Sequence, residues 1–564
     1  MDRKRIIALL FLCYVLVVAL RLAAPFDLDD HDQAKQGLYI LDVVQKGSFF
    51  LPTERGTLPA TKPPFYNWIA AGISLIWGSV TDLTIRLPAV LSGFGVVLLT
   101  FLVAEMLFSK EVGLFAGLVL ILNYHFAKLS CTARTDMMLC FFISLSLYFF
   151  LIAYRQRSER SIYNTLMFVS IGLGSITKGP VAFFLPGLVV LAFLLFMKDS
   201  KWLRSMQLGR GIGTWLLIML GWFIPALIEG GREFFNIVVY DETINRFLGI
   251  GTRAKKTRPF YYLLGHFFGK FLPWSLFMPS AIFTYWRFRN RNEKQRLLFP
   301  VVWFLTVLIF FSISKGKRSD YILPLYPAAS IIVAHFWLSL IEGDAPHPCR
   351  SHVKILSLLY LIGCFLMVAG LVTVFVGPDL MSSVQRISPK SFEKMRLLQA
   401  AVSARLVFFF LIGLPLAIAS ILGIALALKR DLRVLFVAMC VVAGLYLFMY
   451  SHFLPSDATM MGGRQKKVFS VNAAEKVSSG ENLRFCDVPN SILFYMGKNG
   501  PLVNPDEVLD FFHVIDDPFL VTTEADYLAF QENADFEFVV LEESEYVMSE
   551  EEKYVLLGKK RSDH

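Results

Sequence analysis

The sequence predicts a mostly α-helical, polytopic membrane protein that ends in a small soluble α/β domain. Three observations predict it. Of 564 residues, 55% are hydrophobic and only 18% charged, with 53 phenylalanines, whereas soluble domains run nearer a quarter charged. Apolar stretches long enough to cross a bilayer recur along the first 450 residues. From about Ser451 the hydrophobicity drops and acids accumulate between Asp535 and Glu552.

Taken in order, the apolar stretches fall at roughly 6–24, 84–107, 111–128, 136–154, 161–177, 180–197, 211–228, 261–286, 298–313, 320–340, 355–376, 402–428 and 431–450, about thirteen by the twenty-residue criterion. The first follows Met1-Asp2-Arg3-Lys4-Arg5 and has no small-residue cleavage site before the acids beyond it. It therefore reads as an anchor and not a removed signal peptide. Ile69 to Trp77 is apolar but too short to span and suits the interface. The predicted division is a membrane domain over 1–450, with its first outer loop at 25–83, and an α/β domain over 451–564. In that last part Leu483–Val488, Ser491–Tyr495, Phe519–Thr522 and Phe536–Leu541 read as strands.

The basic clusters Met1–Arg5, Arg155–Arg160, Lys198–Arg210, Arg287–Arg296 and Lys429–Arg433 alternate onto one side, which the positive-inside rule makes cytoplasmic. An odd number of spans then places the C-terminal domain outside the cytoplasm. The net charge of +10 does not indicate nucleic acid, because the basic residues punctuate spans and form no stripe. The seven cysteines lie mostly inside apolar runs, as at Cys13, Cys140, Cys364 and Cys440, and show no metal-ligand spacing.

Chemistry concentrates on the outer side. Asp27, Asp29, Asp30 and Asp32 follow the first span, and about thirty residues on comes Thr61-Lys62-Pro63-Pro64-Phe65-Tyr66-Asn67-Trp68. The proline pair fixes the backbone, so Lys62 is held in an extended or turn geometry. Lys35, Arg134, Asp136, Lys178, Arg246, Lys315, Lys317, Arg318 and Tyr321 lie at the same face. Each cation alone is explained by snorkelling to the interface. The whole one-sided set, kept against the positive-inside bias, calls for a shared anionic ligand, such as a charged lipid headgroup. His31 is a lone exposed histidine, ordinarily neither base nor ligand. His266 reads as a packed core residue, and Tyr66 and Trp68 as interface anchors.

The motif set resembles the polyprenyl-phosphate-sugar-dependent glycosyltransferases of the GT-C class, nearest to the bacterial aminoarabinose transferases that modify lipid A and more distantly to protein O-mannosyltransferases. The resemblance runs to about Pro327. Its motifs are Asp32-Gln33-Ala34-Lys35, Thr61-Lys62-Pro63-Pro64, Ala133-Arg134-Thr135-Asp136, Thr177-Lys178-Gly179, Asn245-Arg246-Phe247-Leu248-Gly249, Pro259-Phe260-Tyr261-Tyr262, Ser312–Lys317 and Tyr321-Ile322-Leu323-Pro324. It implies a GT-C membrane fold and a polyprenyl (undecaprenyl) phosphate sugar donor, with lipid A or another envelope molecule as acceptor. It also implies a catalytic carboxylate at Asp32, fifteen residues before Gly47-Ser48, with Asp30 the alternative among the doubled acids. The second membrane-mouth acid falls at Asp136. Phosphate contacts fall at Lys62, Arg246 and Tyr321, with Lys35, Lys178 and Lys315 as further cations. No cofactor is certain, and a divalent metal stays open as an alternative. The family's metal ligands are not matched, since Thr61 and Thr243 stand where its nearest members have Glu and His.

The chemistry also stands on the residues. Displacing a sugar from a lipid phosphate develops charge on the leaving phosphate, which preorganised cations stabilise best where water is scarce. A carboxylate such as Asp32 can take the acceptor's hydroxyl proton, and one such displacement inverts the anomeric centre. If the acceptor is a lipid phosphate, already ionised, Asp32 orients groups instead. A transporter or flippase of charged lipids is the rival class, but transporters place ionisable residues near mid-span and show repeats or broken helices.

Overall fold

The computed structural model describes residues 1–23, 28, 31–157, 162–245, 248, 250, 258–287, 291–343, 347–376, 406–428, 431–453, 465–477, 482–545 and 552–560. The chain is mostly helical. Helix α1 (Arg3–Leu22) is capped by the Asp2 side chain, which accepts from the backbone N–H of Arg5. Two extracted helices follow it before the bundle resumes: α2 (His31–Lys46) and α3 (Phe65–Trp77). Between them β1 (Thr53–Glu54) and β2 (Leu58–Pro59) pair antiparallel. Their turn carries Arg55 and Gly56 at φ 56° and 72°.

The bundle continues through α4 (Asp82–Leu107), α5 (Lys110–Ile121), α6 (Tyr124–Ser130), α7 (Thr135–Gln156), α8 (Ile162–Lys178) and α9 (Val181–Phe196). A Thr81–Thr84 capping box starts α4, and Ser109 and Asn123 cap α5 and α6. Among the described residues eight helices are long and apolar enough to cross a membrane. They become nine if α5 and α6, bent by 73°, are one span. The stretch 261–286 is not one helix. It is broken into Tyr262–Lys270, a 3-10 turn at Trp274–Phe277 and Met278–Arg287, because Pro273 cannot supply a helical N–H. Tyr66 is no interface anchor: it is fully buried and donates to the Ile85 carbonyl at 2.7 Å. His266 is satisfied by the Tyr262 carbonyl and stacks on that ring.

The C-terminal part carries a four-stranded sheet in the order β3 (Leu483–Phe485), β4 (Phe519–Thr523), β6 (Tyr554–Lys559), β5 (Phe538–Glu543). Only the β3–β4 pair is parallel. The period of two divides the sheet's faces. Val521 and Leu556 join the main core, while Leu520, Val555 and Leu557 pack with Val508 and Phe512 in a separate one. Ser491–Tyr495, expected as a strand, is the helix Asn490–Tyr495. Its run is five residues long and mostly apolar, with polar Ser491 buried beside Ile492, Leu493 and Phe494, so alternation could not tell the two apart.

Candidate active site

The ionisable residues converge at one end of the bundle because each sits where a helix starts or stops. Asp32 lies in the first turn of α2 and Asp136 in the first turn of α7. Lys178 ends α8, Lys62 precedes α3, and Arg318 and Asp320 precede the helix Tyr326–Glu342. Along α2 the positions of Asp32, Lys35, Gln36 and Tyr39 fall on one stripe. That stripe lines a polar cavity of about 730 Å³, together with Lys62, Arg258, Lys317, Arg318 and Asp320.

Arg134 is the hub. It is 7% exposed and reaches three carboxylates: Asp320 at 2.9 Å, and Asp32 and Asp136 at 3.4 Å each. Arg318 holds Asp32 at 2.6 Å, and Lys178 pairs with the other oxygen of Asp136. Asp320 also accepts from Lys270 at 3.1 Å and meets His125 Nε2 at 3.0 Å, while His125 Nδ1 meets the Tyr326 hydroxyl at 2.8 Å. Lys62 has no carboxylate within ion-pair distance among the described residues, although it feels Lys178, Asp32, Asp136 and Arg134 electrostatically. Arg134, Arg318, Lys62, Lys178 and Lys270 thus face Asp32, Asp136 and Asp320, and with Glu242, Arg258 and Lys317 of the cavity walls added the cations still outnumber the carboxylates. That excess suits an anion.

Burial alone would raise the Asp32 carboxyl, but Lys62, Arg318 and Arg134 outweigh it and hold its pKa down to about 2. Burial, and next the neighbouring Lys178, push the Lys62 ammonium down to about 8, against the pull of Asp32 and Asp136. Asp32 is therefore ionised across the neutral range, and Lys62 is a cation poised near its titration.

A second cavity, about 690 Å³, is lined almost wholly by apolar groups, among them Phe184, Trp222, Phe223, Leu248, Phe310 and Phe311. Its polar end holds Thr61, Lys62, Asp136, Lys178, Tyr321 and Asp320, and the Lys178 ammonium lies 5.2 Å from the Tyr321 ring centroid. Thr61, Lys62, Glu242 and Asp320 line both cavities. The polar chamber and the apolar groove therefore meet at Lys62.

Of the residues singled out by sequence, Asp32, Asp136, Lys62, Arg134, Lys178, Arg318 and Tyr321 come together. Lys35 faces the polar chamber but is held by Glu54 at 2.7 Å. Lys315 is exposed and lines neither cavity, and Lys317 is turned onto the carbonyls of Ser312 and Pro259. Asp30, Arg246 and the Thr243 side chain lie outside the described residues. His31 is exposed at the chamber's edge. Sequence reasoning missed Glu54, His125, Lys270 and Asp320. The Asp next to Ser319 in the run ending Tyr321 was the one available signal, an acid at a membrane mouth. Thr61 offers no carboxylate for a divalent ion, and among the described residues no group of three His, Cys, Asp or Glu side chains is arranged to hold one, the three aspartates being paired to cations instead.

Comparison with known proteins bears on the same arrangement. The family model described as dolichyl-phosphate-mannose-protein mannosyltransferase matches residues 61–228, which include Lys62, Asp136 and Lys178. The crystal structure of ArnT from Cupriavidus metallidurans bound to undecaprenyl phosphate superposes with a TM-score of 0.75 at 18% identity, covering 98% of this chain and 97% of that one. The fold is that of the GT-C glycosyltransferases, as the motif order implied. Among curated relatives, an uncharacterized protein of Aquifex aeolicus is 30% identical over 323 residues, 57% of this chain and 60% of that protein. An undecaprenyl phosphate-alpha-4-amino-4-deoxy-L-arabinose arabinosyl transferase 1 of Pseudomonas fluorescens is 29% identical over 341 residues, 59% of this chain and 60% of the relative. The match thus spans about 60% of the length of these relatives.

Proposed function

We propose that the protein is an integral-membrane inverting glycosyltransferase. It moves a sugar from undecaprenyl (polyprenyl) phosphate to an envelope acceptor at the periplasmic face of the inner membrane. The observation that carries this reading is the junction at Lys62 of a polar chamber and an apolar groove. An isoprenyl chain suits the groove, its phosphate suits Lys62 and Lys178 at the groove's polar end, and the sugar suits the chamber. The sugar of the named relatives, 4-amino-4-deoxy-L-arabinose, and a lipid A acceptor are the first candidates. A hexose donor or a protein acceptor, as in the mannosyltransferase family, is the variant of the same reading.

In the transfer, the bond between the anomeric carbon and the phosphate oxygen breaks, and the bonding pair stays on the phosphate. Lys62 and Lys178, preorganised at the head of the groove, stabilise that charge. The acceptor oxygen forms the new bond from the opposite face. A carboxylate held near pKa 2 is a weak base at neutral pH. Asp32 therefore orients an acceptor that is already ionised, or receives a hydroxyl proton only as that proton is lost to the new bond.

The charges cluster at helix ends and not at mid-span, which favours transfer over flipping, while the bent α5–α6 pair and the broken stretch 261–286 are features that transporters also show. Vesicles containing the purified protein, a labelled undecaprenyl-phosphate sugar and lipid A test the difference. Transfer predicts a covalently glycosylated lipid A. A flippase moves the donor across the bilayer unchanged.

A further inference from the structure

The first outer loop and the C-terminal domain are joined by buried side-chain amides, and these end at the wall of the chamber. Both oxygens of Glu54, which is 4% exposed, are committed: one accepts from Lys35 at 2.7 Å, the other from Asn490 Nδ2 at 2.6 Å. The Asn490 carbonyl oxygen in turn accepts from Arg55 Nε at 2.7 Å. One asparagine of the C-terminal domain therefore fastens two consecutive residues of the β1–β2 turn. Asn499 adds a parallel link, donating to the Thr53 carbonyl at 2.9 Å and to buried Asp42 at 3.2 Å while accepting from Gly56 N. Tyr495 accepts from the backbone of Leu28, just before α2. The opposite face of α2 is seated directly on the helix Asn490–Tyr495, since a Cβ at Gly37 would stand 2.5 Å from the Phe494 ring.

We propose that Asn490 is a positioning residue for the transfer reaction: through Glu54 it sets Lys35, and with it the chamber face of α2 that presents Asp32. This rests on the transferase reading above. The physical case is that a buried carboxylate with one oxygen left without a donor turns to find another. Lys35 sits on the same stripe of α2 as Asp32, one turn on, so the two are set by one helix orientation. Of the two phosphate cations, Lys178 ends a separate helix and Lys62 follows β2 by three residues; the link acts on Lys35 and the face of α2, so the phosphate site is expected to change little.

The test compares Asn490→Asp, Asn490→Ser, Glu54→Gln and the exchanged pair Glu54→Gln/Asn490→Asp in the full-length protein. Three readouts are taken: sugar transfer, undecaprenyl phosphate affinity, and amide hydrogen exchange over residues 31–46. The single variants are expected to lose at least tenfold in kcat, to keep lipid-phosphate affinity within twofold, and to exchange faster over 31–46. The exchanged pair, which restores an amide opposite a carboxylate, should recover both kcat and protection. A purely structural role would lower stability and affinity together, with no recovery of kcat in the pair. Unchanged exchange over 31–46 in the single variants, or a kcat loss that the pair does not repair, overturns the proposal. If the wild type transfers no sugar, the transferase reading is at fault, and the exchange comparison still decides whether Asn490 fixes α2.

Discussion

Replacing Lys62 by Gln separates a phosphate-binding cation from one that merely packs. With its pKa near 8, Lys62 is about nine-tenths protonated at pH 7 and about one-tenth at pH 9. A charge-assisted hydrogen bond is worth about 1.5–3 kcal/mol, so Lys62→Gln should weaken undecaprenyl phosphate about ten- to a hundredfold at pH 7. The sign of the pH effect follows by linkage. The phosphate favours the ammonium, the free protein sheds that proton as pH rises through 8, and binding must take it back. Wild-type affinity should therefore fall about tenfold between pH 7 and 9, and the Gln variant should lose this dependence. For the fold the sign is opposite. The folded pKa lies below the ordinary 10.5, so the charged lysine costs the empty protein stability below pH 8, and that cost fades between 8 and 10.5. Lys62→Gln should thus leave the melting temperature of the empty protein unchanged or raised. Binding of undecaprenyl phosphate to protein in nanodiscs at pH 7, 8 and 9, beside thermal melts, makes the measurement. Affinity within twofold of wild type at pH 7, with the fold intact, would refute the reasoning.

Three further perturbations follow from the same geometry. Asp32→Asn should keep donor-phosphate binding while transfer falls at least about a hundredfold, and a near-normal rate would show that another carboxylate, Asp30 first among them, does the work. Asp320→Ala strips Arg134, Lys270 and His125 of their shared acceptor. Breaking so enclosed a pair should cost about 3 kcal/mol, read as a lowered denaturation midpoint, whereas a loss under 1 kcal/mol would mean that water replaces it. Gly37→Val drives side-chain atoms into Phe494 and should destabilise docking of α2 by about 1–3 kcal/mol, seen as faster proteolysis between the C-terminal domain and the bundle. No change in cleavage would mean that the contact is slack.

How much of this was legible in the sequence depended on range. Lys62 and Lys178 were readable because Pro63-Pro64 and Gly179-Pro180 end or start a helix beside them, and Asp32 and Asp136 because each is an acid at the edge of an apolar span. Lys35 was readable as a cation but not as one already committed, since Glu54 arrives from a hairpin nineteen positions on. In the run Lys315 to Arg318 composition could not say which cation turns inward. The local turn points Lys317 at carbonyls, leaves Lys315 exposed and gives Asp32 to Arg318. Asp320, His125 and Lys270 come from three separate segments and mean little apart, so their cluster had no sequence signature. The broken helix after Tyr262 and the helix at Asn490 failed for a simpler reason. In the first, apolar content alone concealed the break at Pro273, and in the second five residues are too few to show a period.

The central claim is that Lys62 and Asp32 belong to one reaction that separates a sugar from a lipid phosphate. The direct measurement is the mass balance of that reaction: purified protein, an undecaprenyl-phosphate-linked aminoarabinose or hexose, and lipid A, with both products weighed over time. Free undecaprenyl phosphate and singly glycosylated acceptor should appear in equal amounts in the wild type, and Lys62→Gln and Asp32→Asn should each suppress both. Donor that is bound but recovered intact with every sugar and acceptor offered, or release of undecaprenyl phosphate with no glycosylated acceptor, would contradict it.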